Sequence, residues 1–336
     1  CGSGRSGTSM LAGLFSECGY FQGEALYSPR DSNPKGFFEN WEINSLNERI
    51  IRSSLRAKFD QEEVEVFESL YREGHYWLAR LPADMQCVAS EEDKVGIASL
   101  IGREPFCYKD PRFSYTLPAW FQASPKAIAI CVLRHPGTVV ASILKELQSI
   151  DHLQRFNIRV VDLYEMWGNV YLRLIDLRAK GFEVYFVNYS DLFWESKQAE
   201  LEELVGAKLN RSFPEKQLAR TEFSGEVEVK TAAIFESLTL LASRRFTEQS
   251  PDICKVLANG LSLAGHQSNS SAGTTLANSN LPWPANVSEL AEARMRLADE
   301  SQRAVNLEEA NGTLGGELAE ARMHLAGESQ RAVNLE

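Results

Sequence analysis

Long apolar runs are missing from this 336-residue chain. No stretch approaches the roughly 20 residues needed to cross a bilayer, which excludes a membrane-spanning helix at the level of sequence. Basic residues are in deficit, 35 Lys and Arg against 46 Asp and Glu, for a net charge of −11. That balance argues against a nucleic-acid partner, since such proteins carry a basic face. Cysteine is sparse and unpaired in spacing: Cys1, Cys18, Cys87, Cys107, Cys131 and Cys254 contain no CxxC. Neither a zinc site nor a disulfide framework fits them, and no metal is expected. They read as reduced, buried thiols, so a cytoplasmic location is expected. What remains, 44% hydrophobic and 24% charged, is ordinary globular composition, enough for one large domain or two smaller ones.

Three regions differ in composition. Residues 1–256 alternate short apolar runs with helical patterns. Ala127–Leu133 and Val184–Val187 are continuous apolar runs of the kind that form strands buried on both faces. Between them, Ile43, Leu46, Ile50 and Leu55 mark one helix, and Leu163, Met166, Trp167, Val170, Leu174 and Leu177 a longer one. Met10, Leu11, Leu14, Phe15 and Cys18 share a helical face that Gly19 should terminate. Strands alternating with helices predict an α/β fold, a parallel sheet with helices on both faces.

Residues 257–286 are expected to be a flexible linker. From Gln267 to Asn280, ten of fourteen residues are Ser, Asn, Thr or Gly, which cannot bury a core. Residues 287–336 repeat themselves: Glu289–Glu308 recurs as Glu317–Glu336 with two changes, His324 for Arg296 and Gly327 for Asp299. The offset of 28 residues is four heptads, and Leu290, Leu297, Ala304, Leu318, Leu325 and Ala332 share one heptad position. This predicts a weak coiled-coil seam able to mediate self-association. A solvated single helix is the alternative, because Ala and Glu bury little area.

The opening residues carry the chemistry. Gly2 and Gly7 have the G-x-x-x-x-G spacing of a phosphate-binding loop, whose backbone N–H groups and following helix face an anion. Such a loop ordinarily follows a buried strand, so a strand ahead of Cys1 is expected and the sequence reads as a fragment. A nucleoside triphosphatase places Lys and then Ser/Thr directly after the second glycine. Here those positions hold Thr8 and Ser9, and the cation sits inside the loop at Arg5.

Gly4-Arg5-Ser6-Gly7-Thr8-Ser9 resembles the 5′-phosphosulfate loop of the sulfotransferases that use 3′-phosphoadenosine 5′-phosphosulfate (PAPS). A second block supports the resemblance: the run Ala127–Leu133 leads into Arg134, and Ser142 follows eight residues later, like the family's 3′-phosphate block. Asn188-Tyr189-Ser190-Asp191-Leu192 is similar to the family's Y-x-D-L turn. Asn33–Glu39 and Lys109-Asp110-Pro111-Arg112 resemble segments of bacterial and carbohydrate-type members, and no R-K-G loop of the cytosolic type is present. The resemblance spans about residues 1–206. It implies PAPS as co-substrate, bound by Gly4, Arg5, Ser6, Gly7, Thr8, Ser9, Arg134 and Ser142, and a hydroxyl acceptor on a glycan or glycolipid.

The resemblance implies Arg5 as the cation for the leaving phosphate and a base for the acceptor's proton. That base is His in the cytosolic type, for which the five histidines here fit poorly, and Glu in the carbohydrate type. Glu39, after Phe37-Phe38 and just before a helix, is the first candidate, with a helix-start charge as its bland alternative; Glu24 is the second. Lys109, Asp110 and Arg112 read either as a structural ion pair or as a substrate-facing group. Trp41, Trp120 and Trp167 are core or sugar-stacking residues. Two other functions stay open: a P-loop kinase-like phosphotransferase, and a non-catalytic scaffold that uses the repeat tail.

Overall fold

The computed structural model describes residues 1–71, 74–149, 158–218, 221 and 223–267. The repeat tail at 287–336, most of the expected linker and any coiled-coil seam lie outside the described residues. Ten α-helices and two strands are described: α1 (Thr8–Leu14), α2 (Trp41–Lys58), α3 (Gln61–Leu70), α4 (Glu91–Leu100), α5 (Phe113–Ala123), β1 (Ala129–Leu133), α6 (Pro136–Ser149), α7 (Val160–Ala179), β2 (Val184–Asn188), α8 (Glu195–Val205), α9 (Val229–Ser243) and α10 (Pro251–Gln267). No helix among the described residues is long and apolar enough to cross a membrane.

This is a mixed α/β protein with a small parallel sheet. β1 pairs with β2 from Ala129↔Val184 through Leu133↔Asn188. The other edge of β1 is paired too: the Cys1 nitrogen donates to the Ile130 carbonyl (2.8 Å) and the Val132 N–H to the Cys1 carbonyl (3.1 Å). That is the parallel pattern, with Cys1 opposite Cys131. Every residue of β1 is buried. α9 packs on both strands, α1 on β1, and α7 on β2, α5, α6, α9 and α10.

The helix faces follow the sequence periodicity. Ile43, Leu46, Ile50 and Leu55 are the buried stripe of α2, which Asn40 starts by accepting the Glu42 and Ile43 N–H groups on its Oδ1. Leu163, Met166, Trp167, Val170, Leu174 and Leu177 line the buried face of α7. Two expectations shift. α1 stops at Leu14 rather than running to Cys18, because its last carbonyls are taken from outside: Gln22 Nε2 binds Ala12 O, Ser16 Oγ binds Gly13 O, and the Asn210 N–H binds Leu14 O. α10 carries helix to Gln267, past the boundary expected at residue 256, on the spacing of Ile253, Leu257 and Leu261.

One buried polar cluster ties α2 to α5. Asn47 donates to Asp110 Oδ2 (2.9 Å) and accepts from Thr116 Oγ1 and Trp120 Nε1 (2.8 Å each). Arg112 binds Asp110 Oδ1 (3.0 Å), Glu48 Oε1 (2.7 Å) and the Gly74 carbonyl (2.8 Å). Burial alone disfavours the Arg112 charge, but Asp110, Glu48 and Glu39 hold its pKa above the ordinary guanidinium value. A closed network of this kind is unforgiving, since removing one partner strands the others without water. Arg112→Met keeps the side-chain volume and leaves Asp110 and Glu48 unpaired. It should cost about 3–5 kcal/mol in urea unfolding of the full chain. A loss within a few tenths of a kcal/mol would show that the network is not needed.

Candidate functional site

The parallel pairing sends three segments off the same end of the sheet: the loop after Cys1, Arg134 after β1, and Tyr189 after β2. Open α/β sheets bind ligands at the carboxyl ends of their strands. The loop's shape is set by left-handed backbone at Gly2 (φ 124°), Arg5 (66°) and Gly7 (99°). Gly7 must be glycine twice over, since a Cβ there would also stand 2.2 Å from the Tyr189 ring. A Cβ on Gly4 would meet the Trp77 indole at 2.4 Å. Arg5 accepts left-handed backbone without being glycine, a strain of roughly 1 kcal/mol that tertiary contacts must sustain.

Those contacts converge on the Arg5 guanidinium. Its Nε donates to Ser142 Oγ (3.1 Å), its Nη2 to the Ser32 carbonyl (3.2 Å), and its Nη1 lies 3.5 Å from Glu146 Oε2. Ser32 Oγ also donates to Glu146 (3.0 Å). Arg134 points into the same cleft, 3.5 Å from the Arg5 carbonyl and stacked 4.5 Å from the Tyr189 ring centre. Burial, with the neighbouring Arg5 charge, lowers its pKa from the ordinary value against the opposing influence of Tyr189. Two guanidinium groups in one partly buried cleft repel each other, and an anion between them offsets that repulsion.

The cleft is small, about 130 Å³, and is lined by Arg5, Gly7, Thr8, Ser9, Arg134 and Ser142, with Lys35, Tyr189 and Phe213 at its border. Pockets for drug-sized ligands run to about 300–1,000 Å³, so this one suits an anionic group rather than a whole nucleotide. The structure therefore brings together Arg5, Gly7, Thr8, Ser9, Arg134 and Ser142. Ser6 turns inward and donates to the Ser3 carbonyl (2.7 Å), serving the loop's shape, and Gly4 serves it by receiving Trp77. A larger cavity, about 610 Å³, lies between the Ala127–Ile130 edge and Glu104–Lys109. Its lining is mostly apolar, so the anion chemistry belongs to the smaller cleft.

The two carboxylate candidates occupy different settings. Glu24 is exposed and pairs with Arg103 on the surface (2.7 Å). Glu39 is held from several sides. Lys109 Nζ contacts its Oε1, Asn44 Nδ2 donates to its Oε2 (2.9 Å), and its backbone carbonyl accepts the Tyr27 N–H (2.9 Å). Ser9 Oγ donates to the Phe37 carbonyl (3.2 Å), which ties this segment to the phosphate loop. Burial pushes the Glu39 carboxyl up, but the Lys109 and Arg112 charges and the two hydrogen bonds outweigh it and leave the pKa below its ordinary 4.5. His135, by contrast, is packed against the Phe223 and Phe235 rings, where burial lowers its pKa.

The Lys109–Arg112 segment divides between the two roles considered for it: Asp110 and Arg112 close the buried cluster, whereas Lys109 faces Glu39. Trp120 and Trp167 are core, and Trp41 is half exposed. Sequence reasoning passed over Glu146, Trp77 and Lys35. Glu146 was within reach, because it lies four residues after Ser142 on one helix and so shares its face. Nothing in the local sequence marks Trp77 as the residue that covers Gly4.

The Glu39 carboxyl gives a pH test. A carboxyl whose native pKa is depressed stabilises the fold above its unfolded value, and that contribution fades as pH falls through the native value. The stability gap between the parent chain and Glu39→Gln should therefore be full at neutral pH and narrow on acidification below 4.5, followed by urea unfolding. A gap that widens on acidification would contradict the assignment.

Comparison with curated proteins and comparison with solved structures each return no match. A family profile does match, over residues 1–206, which includes the loop, Glu39, Lys109, Arg134, Ser142 and Tyr189. It is that of the sulfotransferase family, and with more than half of its length matched, the chain belongs to that family.

Proposed function

We propose that the protein transfers a sulfuryl group from PAPS to a hydroxyl of a sugar or glycolipid. The observation that supports this best is the convergence of Arg5, Ser142 and Arg134, which come from the loop after Cys1, from α6 and from the end of β1 onto one cleft. A donor with phosphate at both the 3′ and 5′ positions needs two cationic stations of that kind, and guanidinium forks suit phosphate. The cleft's size leaves the donor's base outside it.

In this reading the acceptor oxygen forms a bond to sulfur as the bond from sulfur to the bridging phosphate oxygen breaks. The electron pair departs with the 3′,5′-bisphosphate, whose new charge Arg5 stabilises. The acceptor's proton passes to Glu39, which is ionised for the purpose. Glu24 is the alternative base, and its surface pair with Arg103 makes it the weaker choice. A kinase reading is disfavoured by the loop, where Thr8 stands in place of the Lys that should follow Gly7.

The test is twofold. Calorimetry should show adenosine 3′,5′-bisphosphate binding far more tightly than AMP or ATP, with Arg134→Ala costing about 2–4 kcal/mol as a lost charge-assisted contact. Equal affinity for the bisphosphate and AMP would sink the nucleotide assignment. Incubating the full chain with labelled PAPS and a panel of glycans should then identify an acceptor. Its turnover should fall about 10²–10⁴-fold in Glu39→Gln with bisphosphate affinity unchanged.

A further inference from the structure

We propose that Lys109 is a positioning residue for Glu39, holding one carboxylate oxygen in place and driving the captured proton off after each transfer. This rests on the reading of Glu39 as the base. Lys109 reaches Glu39 across seventy residues of sequence, and its side chain is almost as enclosed as the core, 7% exposed against 16% for Glu39. A buried ammonium beside a buried carboxylate gains nothing from water, so the two groups fix each other's geometry. The second oxygen of Glu39 is fixed independently by Asn44 Nδ2. A base clamped at both oxygens but still partly open to solvent can meet an acceptor in only a narrow range of directions.

The location fits. Lys109 and the loop residue Thr8 border the same cavity, and the loop residue Ser9 binds the carbonyl two residues before Glu39. It is also the member of its segment that the structural network does not use. Asp110 and Arg112 are consumed by Asn47, Glu48 and the Gly74 carbonyl.

The charge logic gives Lys109 a task beyond packing. Glu39 faces Lys109 and Arg112 as cations, Asp110 as an anion, and Tyr27 and Asn44 as neutral groups. Once Glu39 has taken the acceptor's proton, the carboxylic acid stands beside an ammonium that no longer has a counter-ion. That state favours release of the proton to solvent and return of the carboxylate. Without Lys109 the burial of Glu39 has less to oppose it, and the carboxyl's pKa would rise.

The experiment uses the full chain in three forms: the parent, Lys109→Met and Lys109→Arg. Carbon-13 NMR of glutamate-labelled protein, with Glu39→Gln to assign the signal, follows the carboxyl directly and needs no acceptor. The Glu39 midpoint should lie below 4.5 in the parent, move up by about one unit or more in Lys109→Met, and return toward the parent in Lys109→Arg. With the acceptor chosen from the glycan panel, the acid limb of kcat should move up in pH by the same amount in Lys109→Met, so that turnover is recovered at higher pH. Adenosine 3′,5′-bisphosphate affinity should not change. A merely structural lysine would lower the melting temperature and leave both the midpoint and the limb in place, and that result would overturn the proposal. If Lys109→Met does not fold, Lys109→Gln measured with bound bisphosphate decides on the same two readings. Failure of Glu39→Gln to lower turnover is a different outcome, since it removes the base and not its relation to Lys109.

Discussion

Two main-chain hydrogen bonds, from the Cys1 nitrogen to Ile130 and from Val132 to the Cys1 carbonyl, set the depth at which the phosphate loop leaves the sheet. With Cys1 opposite Cys131, the loop and Arg134 emerge at the same level from neighbouring strands. The Arg5 carbonyl can then lie within reach of Arg134, and the Arg5 side chain within reach of Ser142 on α6. A slip of one residue would turn every side chain of the slipped strand to the opposite face and part these groups. The register is guarded by burial: Cys131, Val132, Phe186 and Val187 are fully enclosed, and each such side chain is worth roughly 1.5–3 kcal/mol where it sits.

Electrostatics then sorts the site into two compartments. On one side Arg5 and Arg134 share a cleft with Ser142, and Glu146 is the acid that faces the loop cation. On the other side Glu39 is an acid among cations, with Lys109 in contact and Arg112 nearby. α1 stands between these roles, since Ser9 lines the anion cleft and also binds the carbonyl two residues before Glu39. In the proposed reading the cationic half would hold the polyanionic donor and the Glu39 carboxylate would receive the acceptor's proton.

Much of this was legible in the sequence, and the reasons differ from residue to residue. β1 and β2 could be read because a strand buried on both faces is a continuous apolar run, and α2 and α7 because their buried stripes keep helical spacing. Arg5, Arg134 and Ser142 were singled out through the resemblance of their two segments to the sulfotransferase blocks, and the fold brings the three together. The shortened α1 was not legible: the groups that end it come from Gln22 and Asn210, and only the tertiary fold brings Asn210 to Leu14. The pairing of Lys109 with Glu39 was hidden for the same reason. A lysine and a glutamate far apart in sequence carry no signal of contact, although each was noticed alone.

The Lys109–Arg112 segment shows how close structural and site residues stand in this fold. Asp110 and Pro111 separate two buried cations, and each has a carboxylate from the 39–48 stretch as partner: Lys109 takes Glu39, and Arg112 takes Glu48. Arg112 is additionally bound by Asp110 and a main-chain carbonyl, so its geometry is over-determined and no freedom is left for chemistry. Lys109 has one carboxylate, and that carboxylate is partly open to solvent. In the proposed reading the difference between scaffold and site comes down to how completely each cation is satisfied. The rigid pair, anchored through Asn47 to Thr116 and Trp120 of α5, fixes the segment from which Lys109 reaches Glu39.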